Sequence, residues 1–464
     1  MSLLSVFAAA RESPDAVAFV DGGEAVSFRA AAERTAPRAA ALAAARPRVL
    51  ALTPRADAES LLWLYAALAT GTPVLTLHTR ATPGERSAAI ARAGATEVPP
   101  VASAPFDEQR LPPVDDAAAL VFLPTSGSTG TPRLVELSRR AMLASAHASA
   151  GNLGWQAQDR WLLCVPLAHT GGLSIVIRCL AARQSVLLFE PGPNGVLESI
   201  SALAQAAQSA TLVSLVPSVL AALLDAGFAP ASSLRAVLVG GAACSPALAR
   251  RAHAAGVPLL TSYGLTETGS QVVTRRYAER FEPLPERNGV VSSGHPLPGV
   301  RLRFDEDRIA VRAPSLFSGY LGETSAGLTD DGFLVTTDHG ELGPDGELYV
   351  RGRRDDVIIS GGENVDPLEV EAALAALPGV QAACVFGTPS ARFGQVVTAV
   401  LVTADPTLGE PAHLAQLLAD RLARHKLPRR ALIAKSLPLT LSGKVDRRAA
   451  SEEYGAAFPE PTER

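Results

Sequence analysis

Short apolar runs alternate with alanine-rich segments across residues 17–217, and this alternation constrains the fold more than any other feature of the chain. Each run has the length of one buried strand, whereas the segments between the runs repeat their apolar residues with the period of a helix. Strands that alternate with helices form a sheet with helices on its faces. The sequence therefore predicts an α/β fold, with strands at residues 48–52, 73–77, 118–123, 161–165, 185–189, 210–216 and 235–239.

The length of the chain predicts more than one domain, because 464 residues exceed what a single hydrophobic core ordinarily holds. Residues 301–304, 308–313 and 347–350 alternate apolar and polar side chains, which predicts a β-rich subdomain. A dense charge run at residues 351–356 marks a candidate linker. We therefore expect an N-terminal domain at residues 1–354 and a small α+β domain at residues 355–464, with a helix at 367–377, strands at 382–386 and 396–402, and a long helix at 413–425.

Charge and hydropathy exclude several classes of partner. The chain has 42 Lys and Arg against 46 Asp and Glu, and this net charge of −4 gives no general attraction to nucleic acid or an anionic membrane. The most apolar span, residues 161–180, is interrupted by a histidine, two glycines and an arginine, so we expect no membrane crossing. The apolar N-terminus lacks a basic leader and is followed at once by Arg11 and Glu12, which argues against a signal peptide.

The four cysteines occur singly inside apolar runs. Their spacing contains no Cys-x-x-Cys pair, so it favours buried thiols over disulfides or zinc ligands. Buried free thiols are typical of a reducing compartment, and we therefore expect a cytoplasmic protein. The four positions are Cys164, Cys179, Cys244 and Cys384.

The segment from Leu123 to Arg133 combines small hydroxyl residues with two glycines and follows an apolar run. Glycine lets the backbone approach a ligand closely, and hydroxyl and N–H groups around a bend are donors for an anion such as a triphosphate. The segment is not the common P-loop, because no Gly-Lys-Ser/Thr follows at the required spacing. Considered alone, a turn of this composition is more often an ordinary loop.

Four further motifs combine glycine with polar or aromatic residues. They are Gly240-Gly241 at the end of a predicted strand, Tyr263-Gly264-Leu265-Thr266-Glu267-Thr268, Thr337-Asp338-His339-Gly340, and Ser442-Gly443-Lys444 in the tail. The last three motifs also have a plain structural explanation. The tyrosine could be a core aromatic, the acidic residues could be turn formers, and the lysine could be solvated.

Taken together and in this order, the motifs resemble those of the adenylate-forming superfamily, which includes acyl-CoA synthetases, carrier-protein adenylation domains and luciferases. The resemblance covers most of the chain and extends to a hinge and Gly-Gly-Glu-Asn stretch at residues 352–371. Five blocks in the family order are far more specific than any one of them. The resemblance implies an ATP-dependent acid–thiol ligase with a large N-terminal domain, built of mixed sheets between helices, and a small mobile C-terminal domain. In such an enzyme a carboxylate attacks the α-phosphorus of ATP, and a thiol then displaces AMP.

The resemblance also implies roles for individual residues. Glu267 would bind Mg²⁺, a hard cation that suits carboxylate and phosphate oxygens. Thr266 would meet the α-phosphate, and Lys444 would bridge it to the acid carboxylate. Tyr263 would stack on adenine, and Asp338 would accept hydrogen bonds from the ribose hydroxyls. The predicted catalytic set is Lys444, Thr266, Glu267 and His169, and the predicted ATP-binding set is Thr125, Ser126, Gly127, Ser128, Thr129, Gly130, Gly240, Gly241, Ala242, Tyr263, Asp338 and Arg353.

The family rotates its C-terminal domain between the two half-reactions, and Asp355 matches the hinge position. Rotation there would withdraw Lys444 and open a channel for the thiol. The chain departs from the family at Arg133, where many members have lysine. Arginine keeps the charge but presents a planar fork, so the role of this position stays open.

Within the superfamily, residues 161–178, residues 214–218 and Ser270-Gln271 resemble 2-succinylbenzoate–CoA ligases of menaquinone synthesis. That acid carries two carboxylates, so a cation in an otherwise apolar pocket is needed to select it. Arg178 is the obvious candidate in its run, although a structural arginine is an open alternative. By the same resemblance His169 would line the acyl pocket, unless it is an ordinary core histidine. Ser214 and Thr268 would hydrogen-bond the acid.

Two further functions stay open at this point. One is a CoA ligase or carrier-loading enzyme for another aromatic or acyl acid, which in the second case would need a carrier protein as partner. The other is a non-catalytic nucleotide-binding relative, against which the intact Glu267, Asp338 and Lys444 argue. We expect ATP, Mg²⁺, a small carboxylic acid and CoA as ligands, and neither nucleic acid nor membrane. The sequence leaves a homodimer open.

Overall fold

The computed structural model describes residues 3–101, 106–111, 113–125, 133–192, 195–323, 327–390, 392–440 and 443–458. The helices are α1 Val6–Glu12, α2 Phe28–Ala45, α3 Ala58–Thr70, α4 Pro83–Ala93, α5 Arg139–Leu153, α6 Thr170–Ala182, α7 Ile200–Ala207, α8 Pro217–Asp225, α9 Pro246–Ala254, α10 Pro367–Ala375, α11 Pro411–Leu418 and α12 Arg447–Gly455. The strands are β1 Val17–Asp21, β2 Glu24–Ser27, β3 Leu50–Leu52, β4 Val74–Thr76, β5 Ala119–Thr125, β6 Arg133–Ser138, β7 Arg160–Leu163, β8 Ser185–Leu188, β9 Leu212–Leu215, β10 Ala236–Val239, β11 Leu259–Leu265, β12 Ser270–Thr274, β13 Glu286–Arg287, β14 Val290–Val291, β15 His295–Pro296, β16 Arg301–Asp305, β17 Arg308–Arg312, β18 Gly319–Tyr320, β19 Leu334–Leu342, β20 Leu348–Arg353, β21 Ile358–Ser360, β22 Glu363–Val365, β23 Val380–Ser390, β24 Gly394–Thr403 and β25 Arg430–Ile433.

Two mixed sheets form the bulk of the chain. The larger has nine strands in the order β15-β12-β11-β10-β9-β7-β8-β1-β2, and the second has five in the order β18-β6-β5-β4-β3. Strands β7 to β11 pair mainly in parallel, and every residue of β10 is buried. Continuous apolar runs suit such strands because helices cover both faces of a parallel sheet. The predicted α/β fold is confirmed, and each of the seven predicted strands is present.

The remaining strands form two smaller units. A four-stranded antiparallel sheet in the order β16-β17-β19-β20 is the predicted β-rich subdomain. Beyond it, the order β22-β21-β24-β23, with β25 paired to β24, makes a C-terminal sheet with α10 and α12 beside it. Successive residues of β23 face opposite sides, so Val385 packs with Leu374 of α10 whereas Cys384 and Phe386 pack with Ala450 of α12.

The expectation of a long helix at residues 413–425 is wrong. Helix α11 ends at Leu418, and a turn and a short 3-10 segment, Arg424–Lys426, follow it. Ala423 and Leu427 both have extended backbones, with ψ of 150° and 134°. Leu422 is still buried in the segment beyond Leu418, so the apolar period of the sequence continues where the backbone is no longer helical. Pro428 disfavours helical backbone only in Leu427, which follows the predicted helix.

Other expectations concern the boundary, the membrane and the cysteines. The predicted domain boundary after residue 354 falls in the 3-10 turn Arg354–Asp356, and it stays a prediction. Among the described residues, no helix combines the length and the apolar character needed to cross a membrane. All four cysteines are free, which confirms the expectation of thiols, although Cys164 and Cys244 are only half-buried.

A buried ion pair joins the beginnings of β10 and β7, the two strands that flank β9 in the large sheet. Arg235, before β10, donates through Nε to Asp159, before β7, at 2.7 Å, and their side chains are 8% and 1% exposed. Thr211, before β9, donates to the same carboxylate at 2.8 Å. We expect Asp159→Ala to lower the free energy of unfolding by about 3–5 kcal/mol, because it leaves a buried guanidinium without its counter-ion.

Denaturant unfolding measures this loss, with Glu286→Ala as the control. Glu286 pairs with Arg250 at 3.0 Å on the surface, where both side chains are well exposed. Its removal should cost less than about 1 kcal/mol. Equal losses in the two variants would contradict the structural role of Asp159.

Candidate active site

Tyr263, Asp338 and Arg353 meet at the end of β11. The Tyr263 hydroxyl donates to Asp338 Oδ2 at 2.8 Å, and Arg353 Nε lies 3.5 Å from Oδ1 of the same carboxylate. Asp338 and Arg353 are directly paired across β19 and β20. Burial, and then the neighbouring Asp338, raises the pKa of Tyr263 well above its usual value. The structure therefore holds the Asp338 carboxylate between a neutral hydroxyl donor and a guanidinium.

Two glycines of the motifs lie in closely packed places. A Cβ on Gly264 would lie 2.1 Å from the carbonyl oxygen of Ser270 on the neighbouring strand, so the backbones of β11 and β12 can come together here only with glycine. A Cβ on Gly240 would lie 2.4 Å from Ser262 Oγ, so this hydroxyl would have to turn away to admit a side chain. The motif glycines therefore shape the floor on which a nucleotide could lie.

Lys444 reaches this region from the C-terminal domain. A Cβ on Gly241 would lie 3.0 Å from Lys444 Cε and 3.4 Å from Nζ, so the lysine side chain covers the glycine turn after β10. Ser218 Oγ, on α8, donates to the carbonyl of Gly443 at 2.9 Å and holds the lysine turn in place. Burial lowers the pKa of Lys444, the Arg353 charge lowers it further, and Asp338 opposes both. The structure thus brings the tail motif to the other motifs.

His169 precedes α6 at its N-cap position but makes no side-chain capping bond. Its ring tilts against that of His78, with the centroids 5.4 Å apart, and its Nε2 has no hydrogen-bond partner among the described residues. Burial lowers the pKa of His169 to about 4, and His78 and Lys444 add to this effect. The imidazole is therefore neutral near pH 7 and leaves one buried ring nitrogen unused.

Arg178, two turns further along α6, is buried with 3% of its surface exposed. Its Nη2 donates to Ser270 Oγ at 3.3 Å, its Cζ lies 5.4 Å from the centroid of the Trp161 ring, and its Nε has no partner. No carboxylate pairs with it in the part of the chain that the structure describes. Burial accordingly lowers the pKa of Arg178 to about 10. Among the described residues, this buried charge therefore has no counter-ion.

Two other predicted acid-binding residues, Ser214 and Thr268, each connect to this arginine through one intervening residue. The Trp161 indole donates to Ser214 Oγ at 3.0 Å, which connects Ser214 to Arg178 through the tryptophan. Thr268 is fully buried, and its hydroxyl bonds within its own turn, to the Leu265 backbone and to the carbonyl of Ser270 at 2.7 Å. A direct bond from Thr268 to the acid stays a prediction, and its contacts favour positioning of Ser270.

Glu267 lies in the short 3-10 turn Thr266–Thr268, with Thr266 half-buried beside it. Its Oε1 accepts a hydrogen bond from the Tyr320 hydroxyl at 2.9 Å. Among the described residues no basic group pairs with this carboxylate, so one of its oxygens is left for a hard cation. The donor chemistry therefore fits the predicted Mg²⁺ ligand.

Several predicted residues lie at the margins of this arrangement. Thr125 ends β5 opposite Arg133, Ala242 is exposed after the glycine turn, and Asp355 is exposed in the interdomain turn. Ser126, Gly127, Ser128, Thr129 and Gly130 lie outside the described residues. Their phosphate-binding role therefore stays a prediction from sequence.

Known proteins share this architecture over nearly the whole chain. The AMP-binding enzyme model matches residues 97–321, and the AMP-binding enzyme C-terminal domain model matches residues 369–444. The 2-succinylbenzoate–CoA ligase of Listeria monocytogenes serotype 4b is 32% identical over 470 residues, which cover 96% of this chain and 98% of that protein. The chain belongs to the AMP-binding enzyme family.

Solved structures agree with the assignment. The o-succinylbenzoate CoA synthetase of Bacillus subtilis in complex with its acyl-adenylate intermediate is 28% identical and has a TM-score of 0.84 over 96% of each chain. The same synthetase with ATP and magnesium ion has a TM-score of 0.82, over 96% of this chain and 98% of that one. This AMP-binding enzyme is thus an AMP-forming acid–thiol ligase, and the predicted pair of a large N-terminal and a small C-terminal adenylate-forming domain is confirmed.

The structure gives individual contacts to residues for which the sequence predicted no individual role. Ser270, noted in the sequence only as part of the resemblance, is the common contact of Arg178, Ser174 and Thr268, and its φ of +108° is uncommon for a residue with a side chain. Trp161, noted only as part of the run 161–178, covers Arg178. Tyr320, which lies in none of the motifs, donates to Glu267.

The lowered pKa of His169 predicts a specific loss of stability in acid. Below pH 6.5 the unfolded chain protonates this histidine, whereas the folded enzyme does not until about pH 4. The unfolded state therefore gains protons first, and the free energy of unfolding should fall by roughly 3 kcal/mol between pH 7 and pH 4 through this group. His169→Asn should remove that part of the pH dependence in denaturant unfolding at a series of pH values.

His147→Asn is the matched control, because His147 is exposed on α5. Its pH profile should follow that of the unaltered enzyme. A profile of His169→Asn that is parallel to both would show that His169 is protonated in the folded state over the same range, against the prediction.

Proposed function

We propose that this AMP-binding enzyme is a 2-succinylbenzoate–CoA ligase, which converts 2-succinylbenzoate, ATP and CoA into 2-succinylbenzoyl-CoA, AMP and pyrophosphate. The observation that carries the choice of acid is the buried Arg178 without a carboxylate partner among the described residues. A buried charge is costly unless an opposite charge accompanies it. An acid with a second carboxylate supplies that charge, and the names of the relatives in Listeria and Bacillus support this acid.

Helix α6 provides a line along which such an acid can lie. His169 is at its beginning beside Lys444, and Arg178 is nine residues further, roughly 13 Å along the helix axis. We infer that one carboxylate of the acid lies near Lys444 and the other near Arg178. The apolar side chains between these points, with Trp161 over the guanidinium, suit the aromatic ring.

In the first half-reaction an oxygen of the acid carboxylate attacks the α-phosphorus of ATP, and the bond from this phosphorus to the bridging oxygen breaks. The electron pair leaves with pyrophosphate. The Lys444 ammonium lies against Gly241, where it can offset the negative charge that develops. Asp338, fixed by Tyr263 and Arg353, is placed to accept from ribose hydroxyls. When Mg²⁺ is bound, it neutralises charge on the phosphates, and Glu267 is the residue that would hold it.

In the second half-reaction the CoA sulfur attacks the acyl carbon, the bond to the adenylate oxygen breaks, and AMP leaves while the thiol proton passes to solvent. Lys444 must first leave the site, which requires rotation of the C-terminal domain about the turn at Asp355. The polar contacts that oppose this motion among the described residues include Ser218 to Gly443 and the His339 Nε2 to Asp366 Oδ2 approach of 3.3 Å. On this proposal the enzyme acts in menaquinone synthesis in the cytoplasm, with CoA and not a carrier protein as acceptor.

The test is ATP-dependent pyrophosphate release with 2-succinylbenzoate, benzoate, anthranilate and fatty acids, each with and without CoA. We expect release with 2-succinylbenzoate to exceed that with every other acid, and a CoA thioester to form. A clear preference for another acid would overturn the choice of acid but keep the reaction. Release without any CoA thioester would favour a carrier protein as acceptor, and absence of release with every acid would favour a non-catalytic relative.

A further inference from the structure

By the family resemblance, Arg133 occupies a position where many members have lysine. Two interactions hold its guanidinium. Its Cζ lies 3.3 Å from the centroid of the Tyr320 ring, so the planar group stacks on the aromatic face. Its Nε donates to Glu323 Oε1 at 2.8 Å, and its Nη2 donates to Oε2 of the same carboxylate. A flat guanidinium can stack and bind a carboxylate through two bonds at the same time, whereas an ammonium cannot.

Tyr320 connects the stacked Arg133 to Glu267. Its hydroxyl donates to Glu267 Oε1 at 2.9 Å, while the Phe317 ring packs edge-on against it at 5.0 Å. The backbone connects the same groups, since the Phe317 N–H donates to the Glu267 carbonyl at 2.8 Å. A tyrosine hydroxyl is protonated near neutral pH, so it acts as the donor in this bond.

The pairing of the strands determines the positions of Arg133 and Tyr320. Strand β18 pairs antiparallel with β6, with Tyr320 opposite Val135. Arg133 begins β6 and pairs with Thr125 at the end of β5, so it lies where the chain leaves the predicted phosphate loop. The stack on Tyr320 therefore connects the exit of that loop to the Glu267 turn.

We infer that Arg133 is a positioning residue that acts through Tyr320 on the Glu267 carboxylate, and that it does not itself hold the triphosphate. The Tyr320 hydroxyl occupies one oxygen of Glu267 and leaves the other oriented toward a cation. A hydrogen bond of this kind to a metal ligand is commonly worth 10-fold to 100-fold in metal affinity. The inference rests on the proposed function only in taking Glu267 as the ligand of the Mg²⁺ that accompanies ATP.

The test is the Mg²⁺ dependence of ATP binding, measured by calorimetry without any acid present. We expect Tyr320→Phe to raise the Mg²⁺ concentration for half-maximal binding about tenfold. Arg133→Ala should shift it in the same direction, and Arg133→Lys should not restore it, because lysine keeps the charge but not the planar stack. The double variant should show no larger shift than the larger single one, since both act on one carboxylate.

Two controls keep the result interpretable. Arg301→Ala removes an exposed arginine of β16 and should leave the Mg²⁺ dependence unchanged. Glu323→Gln weakens the bonds that hold the Arg133 guanidinium against Tyr320. It should raise the Mg²⁺ concentration for half-maximal ATP binding by less than Arg133→Ala does, and it provides the test if Arg133→Ala fails to fold.

Three results would overturn the inference. The first is an unchanged Mg²⁺ dependence in Tyr320→Phe. The second is weaker ATP binding in Arg133→Ala at every Mg²⁺ concentration with full rescue by Arg133→Lys, which would make Arg133 a phosphate ligand. The third is full additivity in the double variant. Because no acid is present, a wrong choice of acid under the proposed function would leave this experiment unaffected.

Discussion

Lys444→Ala is expected to reduce adenylation by about 10²-fold to 10³-fold while leaving thioester formation from supplied acyl-adenylate largely intact. Among the described site residues, the lysine is the one that comes from the C-terminal domain, and its side chain lies against Gly241, close to His169 and Asp338. It can therefore offset charge on the reacting phosphate in this arrangement of the domains. On the proposed mechanism it moves away from the site when the C-terminal domain rotates for the second half-reaction.

Each half-reaction has its own measurement. Pyrophosphate release reports adenylation, and consumption of synthetic acyl-adenylate in the presence of CoA reports thioester formation. Lys435→Ala is the matched control, because Lys435 belongs to the same domain but is exposed. Equal losses in both half-reactions for Lys444→Ala would show that the lysine supports the fold or both steps, against its proposed role.

The sequence predicted the parts of the fold that depend on local pattern. The run at residues 236–239 became a fully buried strand, because a strand between two helical layers must be apolar on both faces. The prediction of a helix at residues 413–425 was wrong, because the apolar period continues to the buried Leu422 while the backbone leaves the helix after Leu418. Periodicity indicates which face is buried, and it does not show where a helix stops.

The site residues could be predicted only where they belong to a sequence motif. Tyr263, Asp338 and Lys444 lie far apart in sequence, yet they meet, and the resemblance to adenylate-forming enzymes had grouped them. The bond from Tyr320 to Glu267 joins residues 53 positions apart through the pairing of β18 with β6, which no spacing reveals. The burial of Arg178 without a counter-ion is likewise a property of the packed structure.

Arg178→Met is expected to lower kcat/KM roughly a hundredfold with 2-succinylbenzoate, and to leave that with benzoate within about threefold. The loss follows because one carboxylate of the larger acid would enter a buried apolar site without a cation. Methionine approximates the length of the arginine side chain, so a cavity contributes little to the loss. Pyrophosphate release with the two acids, under identical conditions, gives the ratio.

The stability of the unliganded Arg178→Met variant distinguishes a role of Arg178 in binding the acid from a purely structural role. Arg178 is buried with no carboxylate partner among the described residues, and its lowered pKa reflects the cost of that burial. Replacing such a charge by an apolar side chain of similar volume is often neutral or stabilising. We therefore expect the unliganded Arg178→Met variant to unfold at the same denaturant concentration as the unaltered enzyme, or at a higher one. A less stable variant with equal losses for both acids would return Arg178 to a structural role, and the selectivity for a dicarboxylate would then have to come from other residues around Ser270.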